Sequence, residues 1–92
     1  MLNLSEIQKE TEKLNNWNLE FGSITKDFKF TNFNESKLFI SKISELAEKQ
    51  SHFPTITWDN LLIRISLATR SQKGLTEQDF ILAREIDKVY KQ

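Results

Sequence analysis

Apolar and polar positions follow a helical period in the first part of the chain. The segment S-E-I-Q begins at Ser5 and has the pattern of a capping box, with Gln8 at the third position after the cap. The side chains that recur behind the cap at helical spacing are Ile7, Thr11 and Leu14. We therefore predict a first helix over about residues 5 to 15.

A period of two replaces the helical period after this segment. Side chains of one row, mostly apolar, occupy every second position in residues 17–21 and again in residues 24–30, and Gly22 with Ser23 separates the two runs. Lys26 is the charged member of the second row. This pattern predicts a β-hairpin.

The helical period returns in the middle of the chain. Asn34 is a suitable helix cap, and the apolar side chains that follow at helical spacing are Phe39, Ile43, Leu46 and Ala47. We predict a second helix over about residues 35 to 50. Pro54 excludes a continuation of this helix and favours an extended conformation at Phe53.

Alternation resumes beyond Pro54 and predicts a second pair of strands. Its apolar row contains Ile56, Trp58, Ile63, Ile65 and Leu67, interrupted by a turn or bulge at residues 59–60. A polar loop over residues 69–74 follows. Thr76, with Asp79 at the third position after it, predicts the start of a last helix. The apolar stripe of that helix is Phe80, Ala83, Ile86 and Tyr90.

The predicted order of elements is α-β-β-α-β-β-α, an α+β fold. Hairpins separated by a helix favour one four-stranded antiparallel sheet, and the apolar stripe of each helix has to be covered, so we expect the helices to pack on one face of the sheet. With 92 residues and no internal repeat, we expect residues 1–92 to form a single domain. Trp17, Phe28, Phe30, Phe33 and Phe39 are expected in the core, and Trp58 either in a pocket or in a subunit contact.

Composition excludes several classes of function. Thirteen basic and thirteen acidic residues balance, so no basic surface for nucleic acid is expected. The chain has no cysteine and a single histidine, which argues against disulfides and against zinc sites. No segment resembles a secretion signal or a membrane span, so we expect a cytoplasmic protein without membrane contact.

The single histidine lies in the segment Q-S-H-F-P, next to the single proline. Taken alone, His52 is a residue at the C-terminal end of a helix, where an imidazolium suits the helix dipole. Glu48 precedes it by four positions, Arg70 follows the last predicted strand, and Asp79 opens the last helix. All these positions are ends of helices or strands, so their side chains could converge on one pocket.

Three motifs make the chain similar to the pterin-4a-carbinolamine dehydratase family, also called 4a-hydroxytetrahydrobiopterin dehydratases. Trp17 and the row I-x-K-x-F-x-F-x-x-F from Ile24 resemble its aromatic strand pattern, which usually has arginine at the position of Lys26. L-A-E-K-Q-S-H-F-P resembles its A-E-x-x-x-H-H-P motif. G-L-T-E-Q-D-F-I-L-A, from Gly74, resembles its G-L-T-x-x-D-x-x-L-A motif. The resemblance covers nearly the whole chain.

The resemblance implies removal of water from a 4a-hydroxytetrahydropterin, which gives the quinonoid dihydropterin. The pterin is the substrate, so no cofactor is implied. Of the family's three active-site histidines, His52 corresponds to the first, whereas Phe53 and Arg70 stand at the other two positions. Arginine has no acceptor atom and stays protonated, and phenylalanine has no proton to transfer. We therefore expect reduced activity.

The resemblance also implies a role for each residue. His52 is the expected catalytic acid–base group; the expected pterin-binding residues are Glu48, Phe53, Pro54, Arg70 and Asp79, of which Asp79 is also the helix-capping residue. Family members pair strands across a dimer, and some form tetramers, so a homodimer or homotetramer is expected. The alternative function is a non-catalytic member of the fold that binds a pterin or a protein partner, as a coactivator does.

Overall fold

The computed structural model describes residues 2–20, 22–69 and 74–91, and of residue 91 only the backbone. The elements are α1 (Leu4–Glu12), β1 (Asn18–Glu20), β2 (Ser23–Lys29), α2 (Phe33–Gln50), β3 (Thr55–Asp59), β4 (Leu62–Leu67) and α3 (Glu77–Lys91). The predicted order α-β-β-α-β-β-α is therefore confirmed. No helix in the described ranges is long and apolar enough to cross a membrane.

The four strands form one antiparallel sheet in the order β1-β2-β4-β3. β2 and β4 are the central strands, and their register places Ile24 opposite Leu67 and Phe28 opposite Ile63. These side chains are fully buried, and side chains of α2 and α3 complete the same core, while Ile7 of α1 packs against it. The other face of the sheet carries exposed side chains such as Asp27 and Arg64. The helices therefore cover one face, as predicted.

The first two helices begin earlier than the sequence pattern indicates. Asn3, not Ser5, caps α1: its side chain accepts a hydrogen bond from the backbone N–H of Glu6, and the carboxylate of Glu6 accepts one from the backbone of Asn3. Asn32, not Asn34, caps α2: its side-chain oxygen accepts a hydrogen bond from the backbone N–H of Glu35. Asparagine and serine are both good caps, so residue type alone does not decide between the candidates; Asn3 and Asn32 have the extended backbone conformation of a cap residue.

One aromatic residue expected in the core lies at the surface. Phe33 is the first residue of α2 and is 51% exposed, and its ring stacks on Trp58 with the centroids 5.1 Å apart. The indole Nε1 of Trp58 donates to the backbone oxygen of Asn60 at 3.0 Å. The earlier start of α2 explains why Phe33 is not in the core, because Phe33 is then the first residue of the helix and lies at the surface. Trp17, Phe28, Phe30 and Phe39 do belong to the core or pack against it.

Candidate active site

The end of α2 fixes the position of His52. Ser51 adopts a left-handed conformation with φ of 52°, so the chain reverses immediately after the helix. The backbone N–H of Ser51 donates to the carbonyl of Glu48 at 3.2 Å, and the N–H of His52 donates to the carbonyl of Ala47 at 3.1 Å. This pair of hydrogen bonds is the Schellman motif, which satisfies the last carbonyls of a helix. The motif turns His52 inward, where the residue is only 9% exposed.

Asp79 lies in the first turn of α3 and is completely buried. Its Oδ2 atom accepts a hydrogen bond from the backbone N–H of Thr76 at 3.0 Å and another from the hydroxyl of Thr69 at 2.8 Å. The contact with Thr76 is the carboxylate half of the predicted capping box. The hydroxyl of Thr76 is bound instead to the hydroxyl of Thr69, at 2.7 Å.

The imidazole of His52 and the carboxylate of Asp79 form a buried pair, in which Nε2 contacts Oδ1. A carboxylate only accepts hydrogen bonds, so Nε2 carries a proton and donates a hydrogen bond to Oδ1. Nδ1 is then the ring nitrogen with a free lone pair, which can accept a proton. The sequence predicted both residues for the site, although it did not predict that they touch.

The Nδ1 atom of His52 has no hydrogen-bond partner among the described residues. In the same ranges, no buried side-chain nitrogen or oxygen lacks a partner. Nδ1 is therefore not fully buried, and His52 is one of the described residues that line a cavity.

That cavity has a volume of about 360 Å³. Its described walls are Ser51, His52, Phe53, Pro54, Ala68, Thr69 and Gln78. Phe53 stands at the rim and is 65% exposed, whereas Pro54 is partly buried. Three of the predicted site residues therefore share one cavity, and Asp79 lies directly behind it.

The two remaining predicted site residues have different outcomes. Glu48 is exposed on the last turn of α2 and is not among the described residues that line the cavity. Arg70 lies outside the described residues. Binding roles for both stay predictions.

Sequence analysis missed Thr69 and Gln78. A signal for Thr69 was present, because Ile63, Ile65 and Leu67 mark the buried row of β4 and Thr69 continues that row. A polar side chain on a buried row requires a hydrogen-bond partner. For Gln78 the sequence carries no comparable signal, since it is an exposed residue in the first turn of α3.

A larger cavity, of about 500 Å³, lies between the end of β2 and helices α2 and α3. Its lining includes three aromatic side chains, Phe30, Phe39 and Tyr90, and three charged ones, Lys29, Glu35 and Lys42. None of its described lining residues is a histidine or a buried carboxylate. Size alone therefore favours this cavity, whereas acid–base chemistry favours the cavity at His52, and we give the chemistry more weight.

Comparison with known proteins adds the family. The family model for pterin 4 alpha carbinolamine dehydratase matches residues 1–89. The chain belongs to this family. A relative from Sulfolobus acidocaldarius, provisionally named pterin-4-alpha-carbinolamine dehydratase, is 35% identical over 88 residues, which cover 96% of this chain and 97% of the relative. One from Christiangramia forsetii with the same provisional name is 38% identical over 90 residues, 96% of this chain and 91% of the relative.

A solved structure agrees with this family assignment. The crystal structure of a transcriptional coactivator/pterin dehydratase from Brucella melitensis superposes with a TM-score of 0.94 at 30% identity, covering 97% of both chains. A pterin dehydratase-like protein identified as a RuBisCO assembly factor in the alpha-carboxysome superposes with a TM-score of 0.68 at 17% identity, covering 80% of this chain and 86% of that one. The second likeness shows the shared fold alone.

Proposed function

We propose that the protein is a 4a-hydroxytetrahydropterin dehydratase in which His52 transfers the protons. The observation that carries this proposal is the buried contact between His52 and Asp79 at the wall of a cavity. A carboxylate behind an imidazole holds the ring in one orientation and stabilises the imidazolium that forms when the ring accepts a proton. Membership of the dehydratase family supports this reaction over other acid–base reactions.

The dehydration requires one proton to leave and one to arrive. N5 of the pterin loses its proton, the bond between C4a and its hydroxyl oxygen breaks, and the departing hydroxide takes up a proton to become water. The number of protons on the protein is unchanged at the end. A single imidazole can therefore serve both steps in turn: Nδ1 of His52 accepts the proton from N5 and then returns a proton to the departing oxygen.

The cavity suits a flat heteroaromatic ligand. Its volume of about 360 Å³ lies within the range of small-molecule pockets. Phe53 at the rim offers a ring face for stacking, and Pro54 and Ala68 add apolar surface. The side-chain amide of Gln78 can both donate to and accept from the edge of a pterin. Glu48 and Arg70 are further proposed contacts, with the pterin amino group and the departing oxygen respectively.

The test is the rate of dehydration of freshly generated 4a-hydroxytetrahydropterin. We expect dehydration to be faster with the protein than in buffer. His52→Gln should lower the rate that the protein adds by roughly 10²-fold to 10⁴-fold, the contribution of one proton-transfer group. The glutamine of this variant keeps a polar side chain near Asp79, and urea unfolding confirms that the variant is folded. A wild-type rate equal to that in buffer, or equal to that of folded His52→Gln, contradicts the proposal.

A non-catalytic binding function is the second candidate. The observation that favours it is Phe53: at the rim of the cavity, next to His52, the chain has a hydrophobic ring rather than a second acid–base group. The neighbour from Brucella melitensis is described as a coactivator as well as a pterin dehydratase. The double variant Phe53→His/Arg70→His separates the two functions. Large activity that arises from none supports the binder, whereas wild-type activity that the two substitutions change only slightly supports the enzyme.

A further inference from the structure

We propose that Thr69 is a positioning residue, which holds Asp79 so that the proton of the His52 ring stays on Nε2. This inference rests on the proposed function only for its effect on rate, since the position of the proton is a property of the free protein. Thr69 is buried, and its hydroxyl donates to Oδ2 of Asp79 at 2.8 Å. No direct contact with a substrate is required for this role.

The hydrogen bonds around Thr69 run in one direction. A hydroxyl has a single hydrogen. Because Thr69 gives its hydrogen to Asp79, the hydroxyl of Thr76, 2.7 Å away, must donate to Thr69. The result is an ordered chain from Thr76 through Thr69 to Asp79. Such chains strengthen each member and fix its rotamer.

Backbone hydrogen bonds also hold Thr69 in place. Thr69 and Gly74 form an isolated antiparallel bridge, with N–O distances of 3.0 and 3.3 Å. Ala68, the preceding residue, lines the cavity. Thr69 therefore connects the backbone bridge that follows β4 to the carboxylate of Asp79.

The role of Thr69 follows from the different hydrogen-bond partners of the two carboxylate oxygens of Asp79. Oδ2 is occupied by Thr69 and by the backbone N–H of Thr76, which leaves Oδ1 for Nε2 of His52. Without the hydroxyl, Oδ2 has one donor fewer, and the carboxylate can rotate until Oδ1 no longer accepts the hydrogen bond from Nε2. The proton is then no longer restricted to Nε2, and the fraction of rings with a basic Nδ1 falls.

Nitrogen-15 NMR of the imidazole tests this directly, because the chain has a single histidine and the ring signals need no assignment. At a pH where the ring is neutral, we expect wild-type protein to show the proton on Nε2. Thr69→Ser keeps the hydroxyl and should keep this pattern. Thr69→Val has almost the same shape without the donor, and its two ring shifts should move toward those of a ring that exchanges between tautomers.

Kinetics provide the second measurement. Thr69→Val should lower kcat roughly 10-fold to 100-fold, as for other groups that orient a histidine, with KM nearly unchanged. Thr69→Ser should restore kcat. If Thr69→Val does not fold, Thr69→Ala, which also lacks the donor, is measured in the same way.

The outcomes separate this inference from the proposed function. Unchanged imidazole shifts in folded Thr69→Val or Thr69→Ala overturn it, even if the variant is less stable, because a purely structural threonine would affect stability alone. If wild-type protein shows no dehydratase activity, the proposed function fails, and the NMR comparison still decides the role of Thr69.

Discussion

The ammonium of Lys26 lies 2.7 Å from Oδ1 of Asp87 and connects β2 to α3 on the apolar face of the sheet. Both side chains are largely buried, with 11% and 15% exposed. The other oxygen of Asp87 accepts a hydrogen bond from Nε1 of Trp17 at 3.0 Å, and the ammonium lies 5.0 Å from the ring centre of Phe28. Each polar group of this cluster is therefore paired, which makes its burial tolerable.

Replacing Lys26 with methionine should destabilise the protein. Asp87 would keep only the hydrogen bond from Trp17 and would remain as a buried carboxylate without its cation. The expected loss in the free energy of unfolding is about 2 to 4 kcal/mol, measured by urea denaturation. Lys26→Arg keeps the cation and is the matched control, with an expected loss of about 1 kcal/mol or less. Equal stabilities of the methionine and arginine variants would show that the charge is unimportant here.

Lys26 also shows what sequence can predict. Alternation placed it on the same row as Ile24 and Phe28, and the structure confirms that row as the core side of β2. Alternation does not reveal Asp87, which lies 61 positions away on another element. Periodicity acts within one helix or strand, so it predicted the order of elements and their buried faces, whereas contacts between elements required coordinates.

The candidate site follows the same division. Sequence identified His52, Phe53, Pro54 and Asp79, but the pairing of His52 with Asp79 depends on where two helix ends meet. Glu48 lies inside the helix predicted over about residues 35 to 50, whereas His52 lies beyond its end. Ser51 separates the two residues, because its left-handed backbone turns His52 away from the helix. Serine gives no clear signal of such a reversal, which glycine would have given.

Asp79→Asn should impair proton transfer more than it impairs folding. An asparagine amide can present its NH₂ group to Nε2, which forces the ring proton onto Nδ1 and removes the base from the cavity. We expect a loss in kcat of roughly 10²-fold to 10⁴-fold. The measurement is the dehydration rate together with the nitrogen-15 shifts of the imidazole. Glu85→Gln, elsewhere on α3, is the control and should retain the wild-type rate; full activity of Asp79→Asn would exclude an orienting role for the carboxylate.

Ser51→Gly should stabilise the protein slightly. A left-handed conformation is unfavourable for residues with a Cβ atom and costs glycine nothing, but glycine loses more backbone entropy on folding. The net gain in the free energy of unfolding should be about 0.5 kcal/mol by urea denaturation. Ser51→Val is the opposite test, with an expected loss of about 1 to 2 kcal/mol because a β-branched residue fits this conformation poorly. A less stable glycine variant would mean that the serine hydroxyl contributes more than the backbone conformation costs.

The pair formed by Asp27 and Arg64 should make stability depend on pH in the acid range. The guanidinium of Arg64 donates to both oxygens of Asp27, at 2.7 and 3.1 Å, across the central strands β2 and β4. These hydrogen bonds, with the positive charge, lower the pKa of Asp27 below its ordinary value of 3.8, although partial desolvation opposes the shift. Since the carboxyl ionises more readily in the folded state, the pair stabilises the fold above pH 3.8, and this contribution disappears as the pH falls through the lowered pKa.

Urea unfolding of wild-type protein and Asp27→Asn from about pH 6 to about pH 2 tests this prediction. The wild-type advantage should be present at the higher pH, vanish at the lower one, and shrink with added salt, because both side chains are exposed to solvent. In an Arg64→Met background, Asp27→Asn should lose most of this dependence on pH, since the main cause of the shift is gone. A wild-type advantage that persists unchanged at about pH 2 would show that the aspartate contributes through its shape rather than its charge.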